Sequence, residues 1–284
     1  MKSAQRIFLL FALCFGFSVV DTYAIEASVN LASFKGDKQP YVEVSLYLIG
    51  SSLTRQLLPD SKDTIRNSQV KIEIRFLRDS LVLHFDKYAL LSPNSIAPAN
   101  FLDVRRYSMP AGVYDVQIYM EDLGNPKNNA VYTNRLKLVQ DEGSAYFSDI
   151  QLLASFKSDS GNSNQVKNGF LMEDLPYHFY GPDFQMLNYY AELYGVQPIC
   201  DSNQYLTAFV VEKLFGNGTT QVVKSKYQRK QAKAIEVFLG QMDITDLPSG
   251  NYRFCIRVID KTKKPIIYAC VPFQRSNPKA EKQF

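Results

Sequence analysis

Apolar and polar residues alternate in short segments along the whole chain, and this pattern predicts β-strands. In Tyr41–Ile49 and again in Val70–Leu77, every second residue is apolar, and most residues between them are charged or polar. A period of two turns the apolar set towards one face of a pleated strand. Further strands of the first half are predicted at Ile25–Phe34, Ser80–Tyr88, Phe101–Tyr107, Val113–Glu121 and Val131–Val139. So many strands in about 115 residues are typical of a β-sandwich.

The second half of the chain repeats this pattern with more aromatic residues. Gly216-Asn217-Gly218 separates two apolar runs and predicts a hairpin. Ser155–Lys167 is rich in Ser, Asn and Gly, which favours a mobile loop, and Lys224–Ala234 could form one or two helical turns. Strands are predicted at Phe147–Leu153, Leu187–Gly195, Tyr205–Phe215, Thr220–Tyr227, Ala234–Leu239, Tyr252–Asp260 and Ile266–Phe273.

One phrase, Pro-x-Gly-x-Tyr, occurs once in each half and opens a predicted strand. Its residues are Pro110, Gly112 and Tyr114 in the first copy and Pro248, Gly250 and Tyr252 in the second. Pro fixes φ, Gly accepts the turn, and the Tyr hydroxyl can tie the corner back to the backbone of an immunoglobulin-like sandwich. Both strands end at an Asp, Asp122 or Asp260, which indicates a shared strand-end turn. We therefore expect an all-β protein of two tandem immunoglobulin-like or fibronectin-III-like sandwiches.

These expectations divide the chain into five parts. Residues 1–24 are predicted to be a signal peptide, 25–140 the first sandwich, 141–146 a short linker, 147–275 the second sandwich and 276–284 a polar, frayed tail.

The N-terminal segment has the three parts of a secretory signal peptide. Lys2 and Arg6 precede the apolar run Ile7–Val20, and Thr22-Tyr23-Ala24 resembles a small-x-small cleavage site. The apolar run is short for a membrane span, although an uncleaved anchor remains the alternative. No later segment approaches the length of a membrane span. We expect an exported protein that is periplasmic, associated with the outer membrane, or extracellular.

The cysteines fit an oxidising compartment. If the last two predicted strands form a hairpin, Cys255 lies opposite Cys270, and a cross-strand disulfide is expected between them. Cys200 would then be free or paired elsewhere. The loose spacing of the cysteines and the presence of only two His residues indicate no metal site, and no cofactor is expected.

The charge of the chain argues against a nucleic-acid partner but leaves an anionic protein or lipid partner open. A formal net charge of +4 is too small to indicate nucleic-acid binding. The densest basic segment could be a solvated surface, or it could contact an anionic partner or lipid headgroups. Its candidate residues are Lys224, Lys226, Arg229 and Lys230.

No catalytic constellation is present in the sequence, which favours a binding protein over an enzyme. His84 lies on a predicted strand, whereas His178 lies in an aromatic loop. An enzyme remains an alternative only if His178 meets a carboxylate within hydrogen-bond distance.

The aromatic segment around His178 is the leading candidate for a contact surface. Core packing would bury part of it, and the rest could contact a protein or, as an alternative, a glycan stacked on exposed Tyr rings. The candidate residues are Tyr177, His178, Tyr180 and Tyr190.

Several phrases resemble the N-terminal half of GWxTD-domain proteins, which are exported proteins of Bacteroidetes-type bacteria. These phrases are the Met109–Gln117 corner, Phe147–Leu153, Leu175-Pro-Tyr177 and Tyr189–Tyr194. The resemblance covers residues 25–275, and the Gly-Trp signature of the C-terminal domain is missing because the chain has no Trp. The resemblance implies an envelope-associated protein without an enzymatic role, and it supplies no catalytic residues. With the residue patterns, it leads us to expect protein–protein interaction or scaffolding with partners in the cell envelope.

Overall fold

The computed structural model describes residues 24–58, 65–140, 143–199, 204–259 and 265–280, and these residues are almost entirely β-structure. The first half contains β1 (Ala27–Phe34), β2 (Tyr41–Leu48), β3 (Gln56–Leu57), β4 (Arg66–Asn67), β5 (Gln69–Arg78), β6 (Leu81–Leu91), β7 (Phe101–Ser108), β8 (Gly112–Asp122) and β9 (Asn129–Leu138). The second half contains β10 (Tyr146–Phe147), β11 (Gln151–Ser158), β12 (Val166–Lys167), β13 (Phe170–Asp174), β14 (Phe179–Tyr180), β15 (Met186–Tyr194), β16 (Gln204–Leu214), β17 (Thr220–Gln231), β18 (Ile235–Asp243), β19 (Gly250–Ile259) and β20 (Pro265–Arg275). Short 3-10 turns lie at Gly50–Ser52, Pro176–His178 and Gln197–Ile199. Within these ranges, no helix is long and apolar enough to span a membrane.

The first sandwich packs a three-stranded sheet, β1-β2-β7, against a four-stranded sheet, β6-β5-β8-β9. All of these neighbours are antiparallel. Its core is built from the alternating residues that the sequence singled out, with Val42 and Leu46 of β2 and Ile72 and Phe76 of β5 fully buried. Edges β1 and β9 meet on one side of the sandwich, and β6 and β7 meet on the other.

The second sandwich has its own core between two larger sheets. In one sheet the order is β14-β20-β19-β16-β17, and in the other β15 pairs with β18 on one edge and with β10 and β11 on the other, followed by β13 and β12. Tyr189, Phe209 and Phe254 pack together at its centre. The expected all-β sandwich architecture is thus confirmed, with one core in each half.

Both predicted corners are confirmed. The hydroxyl of Tyr114 donates to the carbonyl of Pro110 at 2.7 Å, and that of Tyr252 donates to Pro248 at 2.8 Å. Gly112 has a φ of +152°, which other residues rarely adopt, so a substitution there would be strained; the Arg78 guanidinium, 2.1 Å from an added Cβ, would also have to move.

The strand-end turn is also present in the first sandwich. Asp122 is fully buried, and its carboxylate accepts hydrogen bonds from the backbone of Thr54 and Gly124 and from the Asn128 side chain. Its sequence counterpart, Asp260, lies outside the described residues.

The predicted disulfide is confirmed. Cys255 and Cys270 are direct cross-strand partners in β19 and β20, and their sulfurs are bonded. Their Cα atoms are 4.1 Å apart, close to the spacing of a non-hydrogen-bonded antiparallel pair. Cys200 lies outside the described residues, as does the predicted signal peptide apart from Ala24.

Four local predictions need correction. Tyr146 already belongs to β10, so the second sandwich begins inside the predicted linker. The predicted loop Ser155–Lys167 contributes to β11 and β12 at its ends. The tail is docked as far as residue 280, since Asn277 is buried and donates to the carbonyls of Thr245 and Leu247. The segment Lys224–Ala234 is mostly strand β17, because pairing with all of β16 outweighs its helical propensity.

The two sandwiches meet through a buried polar cluster. Glu43 of the first sandwich accepts from Arg106 Nε at 2.7 Å and from Gln151 Nε2 of the second sandwich at 2.6 Å. Lys167 Nζ, also from the second sandwich, lies 2.9 Å from Gln151 Oε1 and 3.5 Å from Glu43 Oε2. Burial alone would raise the pKa of Glu43, but Lys167 and Arg106 hold it below its usual value. The cluster joins specific residues across the junction and so fixes how the halves pack.

Candidate functional site

The turn Pro176–His178 forms a ridge at the junction, and its backbone is strained. Tyr177 has φ 56° and ψ 8°, and His178 has a φ of 48°. This left-handed region costs a non-Gly residue about 1–2 kcal/mol. Two consecutive bulky residues in this region are uncommon, and strained residues of this kind are concentrated at functional sites. We call Tyr177 and His178 the ridge.

Contacts from both sandwiches hold the ridge in this conformation. The backbone N–H of Tyr177 donates to Ser28 Oγ of the first sandwich at 2.8 Å. The ring nitrogen Nδ1 of His178 lies 3.2 Å from the carbonyl oxygen of Pro272 in the second sandwich, so this nitrogen carries a proton. Burial lowers the pKa of His178, which keeps the ring neutral at neutral pH, and the Pro272 contact opposes this effect. The Tyr177 ring itself is 49% exposed.

A first cleft of about 600 Å³ lies on one side of the ridge, between the sandwiches. Its walls come from β1 and β9 of the first sandwich and from the start of β11 and the Cys270 region of the second. Exposed Arg135 and Lys137 lie along β9, whereas Asp149 accepts hydrogen bonds from Ser33 on the opposite wall. The cleft is therefore mainly polar, with cationic groups on one wall.

The carboxyl of Asp174 also lines this cleft and is buried. Burial, followed by the charge of Glu43, raises its pKa to about 6. Asp174 therefore changes charge in mildly acidic solution.

A second cleft of about 540 Å³ lies on the other side of the ridge, within the second sandwich. Phe215, from the β16–β17 hairpin, and Pro272 line it together with both ridge residues. Phe215 is 40% exposed, so its ring is available to a ligand. The second cleft is more apolar than the first, and the Tyr177 ring is accessible from both.

The structure separates the aromatic residues that the sequence grouped. Tyr177 and His178 lie at the surface clefts, but Tyr180 and Tyr190 are fully buried, and their prediction as binding residues is wrong. The Tyr180 hydroxyl donates to the Asn188 carbonyl at 3.3 Å, and that of Tyr190 donates to the Glu192 carboxylate. These residues are core members with satisfied hydroxyls, and the glycan alternative loses two of its three rings.

The fold also places the four candidate residues of the basic segment in different surroundings. Lys224 pairs with Asp246, and Lys230 pairs with Glu236 at 2.6 Å while lying over the Phe238 ring. These two lysines close the edge of the second sandwich. Lys226 and Arg229 are exposed but occupy opposite faces of β17, because side chains alternate along a strand. The four residues therefore do not form one cationic patch.

The geometry gives no support to the enzyme alternative. The hydrogen bonds of the described residues bring no carboxylate to the His178 ring, and His84 packs against Phe76 and Tyr107 on the first sandwich. Within the described ranges, no group of three or more His, Cys, Asp or Glu residues could hold a metal ion.

Sequence reasoning missed the residues that complete the clefts. Arg135 and Ser28 come from distant strands, and only the sandwich packing brings them to the ridge. Phe215 was placed beside the predicted hairpin, but nothing in the local sequence directs its ring towards the ridge.

Comparison with known proteins gives distant structural likenesses. No family model and no curated protein matches the chain. The crystal structure of red sea bream transglutaminase aligns with a TM-score of 0.26 and 8% identity, covering 88% of this chain and 31% of that one. Trypsin-activated alpha-2-macroglobulin from Escherichia coli aligns with a TM-score of 0.27 and 10% identity, covering 91% and 17%. The chain spans less than a third of the length of each of these proteins.

Proposed function

We propose that this chain is an exported, non-enzymatic protein of the bacterial cell envelope that binds other proteins and acts as a scaffold. The observation that carries this proposal is the ridge: two strained, bulky residues between two open clefts, held by both sandwiches. Strain of this kind persists only where surrounding contacts impose it, and it is concentrated at functional sites.

The chemistry of the two clefts favours a polypeptide partner. The polar cleft offers Arg135 to a carboxylate, and the apolar cleft offers Phe215 and Pro272 to an apolar side chain. The exposed Tyr177 ring lies between them and provides apolar area with a polar hydroxyl, as in many protein interfaces. A segment that crosses the ridge would engage both clefts at once.

Two further features support export. A secretory pattern occupies residues 1–24, and the Cys255–Cys270 disulfide suits an oxidising compartment. The resemblance to GWxTD-domain proteins points to the same setting, and their N-terminal region is the part that this chain would represent.

Site-specific photo-crosslinking in the native envelope tests the proposal. A photoreactive phenylalanine analogue replaces Tyr177 in one strain and Tyr268 in a control strain, since Tyr268 is also exposed but lines neither cleft. We expect a reproducible protein adduct from position 177 that is absent from position 268. Adducts of equal yield from both positions, or adducts only to polysaccharide, would contradict the proposal.

A further inference from the structure

Strand β6 exposes an unusual amount of apolar surface along one edge of the first sandwich. Leu81, Leu83, Phe85 and Leu91 are 65%, 48%, 50% and 57% exposed. From Phe85 to Leu91 the odd-numbered residues face outward, and Lys87 is the single charged residue among them. A bulge at Leu83 interrupts the alternation near the start of the strand, where Val82 is also exposed. Contiguous exposed apolar patches on a monomer commonly mark interaction sites.

The backbone of the same strand is open to pairing. Within the described ranges, β6 pairs with β5 alone and is therefore an edge strand. The N–H of Ser92 donates to the carbonyl of Ser68, its cross-strand partner, just beyond β6 and β5. In an antiparallel ladder, hydrogen-bonded pairs alternate with non-hydrogen-bonded pairs, whose N–H and C=O groups point away from the partner strand. The N–H and C=O groups of Phe85, Lys87 and Ala89 therefore point away from β5, and the side chains of the same residues are exposed.

The inner face of β6 is held firmly, so the edge is a preformed template. Tyr107 donates to Asp86 Oδ2 at 2.7 Å, and Tyr88 donates to Asp103 Oδ2 at 2.6 Å. These bonds tie β6 to β7 of the opposite sheet. A preformed edge lowers the entropic cost of pairing with another strand.

The common devices that protect a sheet edge are sparse on this strand. Natural edges are usually blunted by several charges, by Pro or by a bulge that twists the edge away. Strand β6 contains no Pro, its outward face carries one Lys, and its single bulge lies at Leu83, away from residues 85–91. The side chain of Lys87 lies 3.3 Å from Glu73, and Arg75 lies over the neighbouring Phe85 ring. Glu73 also pairs with Arg75 at 3.1 Å, so the apolar row is crossed at its middle by two cations that share one carboxylate, which leaves an excess of positive charge.

We infer that β6 is a second docking surface, which binds an extended segment of another protein by adding a strand to this sheet. The segment has apolar residues at alternate positions and a carboxylate that faces Lys87. Its backbone supplies the hydrogen bonds that β6 lacks, and its alternating side chains cover Leu83 and Phe85. This surface lies on the side of the first sandwich opposite the β1–β9 edge that lines the polar cleft, so one chain can hold two partners.

The test uses a fluorescent nine-residue peptide of alternating valine and threonine with one central glutamate. Its matched partner carries lysine instead of glutamate, and a third peptide has N-methyl groups on the pairing edge. Binding is measured by fluorescence anisotropy with the purified oxidised chain, with the Lys87→Glu variant and with the double variant Leu83→Thr, Phe85→Thr. Val131→Thr, on the exposed opposite edge β9, is the control.

We expect the glutamate peptide to bind about fivefold tighter than the lysine peptide, with the order reversed in Lys87→Glu. The double variant and the N-methylated peptide should lose binding, and Val131→Thr should retain it. Equal binding of both peptides by both the parent chain and Lys87→Glu would overturn the inference. Concentration-dependent dimerisation abolished by the double variant would also overturn it, because a second copy would then occupy the edge.

Discussion

The two sides of the first sandwich differ in which residues they bury: one buries charged side chains, and the other exposes apolar side chains. Against the second sandwich, Glu43 and Lys167 are buried together, whereas on the far side Leu83 and Phe85 of β6 are exposed. Charges are expensive to bury and are tolerated where they fix a specific arrangement, and apolar residues are left uncovered where they serve association. We interpret the junction as a finished interface and, as proposed above, the β6 edge as one that a partner completes.

The largest expected effect comes from breaking the junction. Glu43→Gln removes the charge that faces Lys167 and Arg106, so both cations remain without their carboxylate. We expect the free energy of unfolding to fall by about 3 kcal/mol. Urea denaturation followed by circular dichroism measures this loss. Glu73→Gln is the control, because its partners Arg75 and Lys87 are half exposed to solvent, and the change should cost less than about 1 kcal/mol.

The substitution Asp174→Asn should increase stability by an amount that depends on pH. The pKa of Asp174 is raised to about 6 in the folded state, so ionising it opposes folding. This penalty is absent below the unfolded pKa, grows between about pH 4 and pH 6, and is constant above. Asp174→Asn should therefore gain about 2 kcal/mol over wild type at pH 7.5 and little at pH 4. An equal difference at both values would show that Asp174 titrates normally.

A smaller effect should separate stability from binding at the ridge. Glycine adopts a φ of 56° without strain, so Tyr177→Gly should raise the free energy of unfolding by up to about 1 kcal/mol. The same change should abolish partner capture, because the exposed ring is lost. Thermal denaturation and co-purification from cross-linked envelopes are the two measurements. Tyr177→Phe, which keeps the ring, should preserve capture, and a stable Tyr177→Gly variant that still captures the partner would remove the ridge from the proposal.

The smallest effect on stability is expected at the edge strand. The double variant Leu83→Thr, Phe85→Thr places β-branched residues, which suit a strand, at exposed sites, so its free energy of unfolding should stay within about 0.5 kcal/mol of wild type. Its solubility at high concentration should rise. A loss as large as that of Glu43→Gln would mean that these side chains are structural and not reserved for a partner.

Local patterns were sufficient for the parts of the fold that depend on neighbouring residues. Alternation placed the seven main strands of the first half, and the Pro-x-Gly-x-Tyr phrase placed both corners. The disulfide followed from hairpin pairing in the expected register, and a bulge between Val258 and Ile259 shifts the pairing only beyond that point.

The candidate site depended on contacts between distant segments and was less accessible from sequence. Tyr177 and Tyr180 are three positions apart, yet one is exposed and the other is fully buried. The ridge conformation depends on Ser28 and Pro272, which no local pattern connects with Tyr177. The start of β17 is predicted from sequence as a strand, whereas its second part, from Lys224, could also form helical turns, and pairing with β16 makes that part a strand.

Amide hydrogen exchange in intact envelopes, compared with the purified oxidised chain, tests most directly whether the open surfaces are occupied. The account predicts that amides of Phe85, Lys87, Ala89 and the ridge exchange freely in the purified chain and become protected in envelopes. Exposed amides of the charged edge β17 should exchange alike in both. Equal exchange of β6 and of the ridge in the two preparations would contradict the claim that this protein works by binding partners at these surfaces.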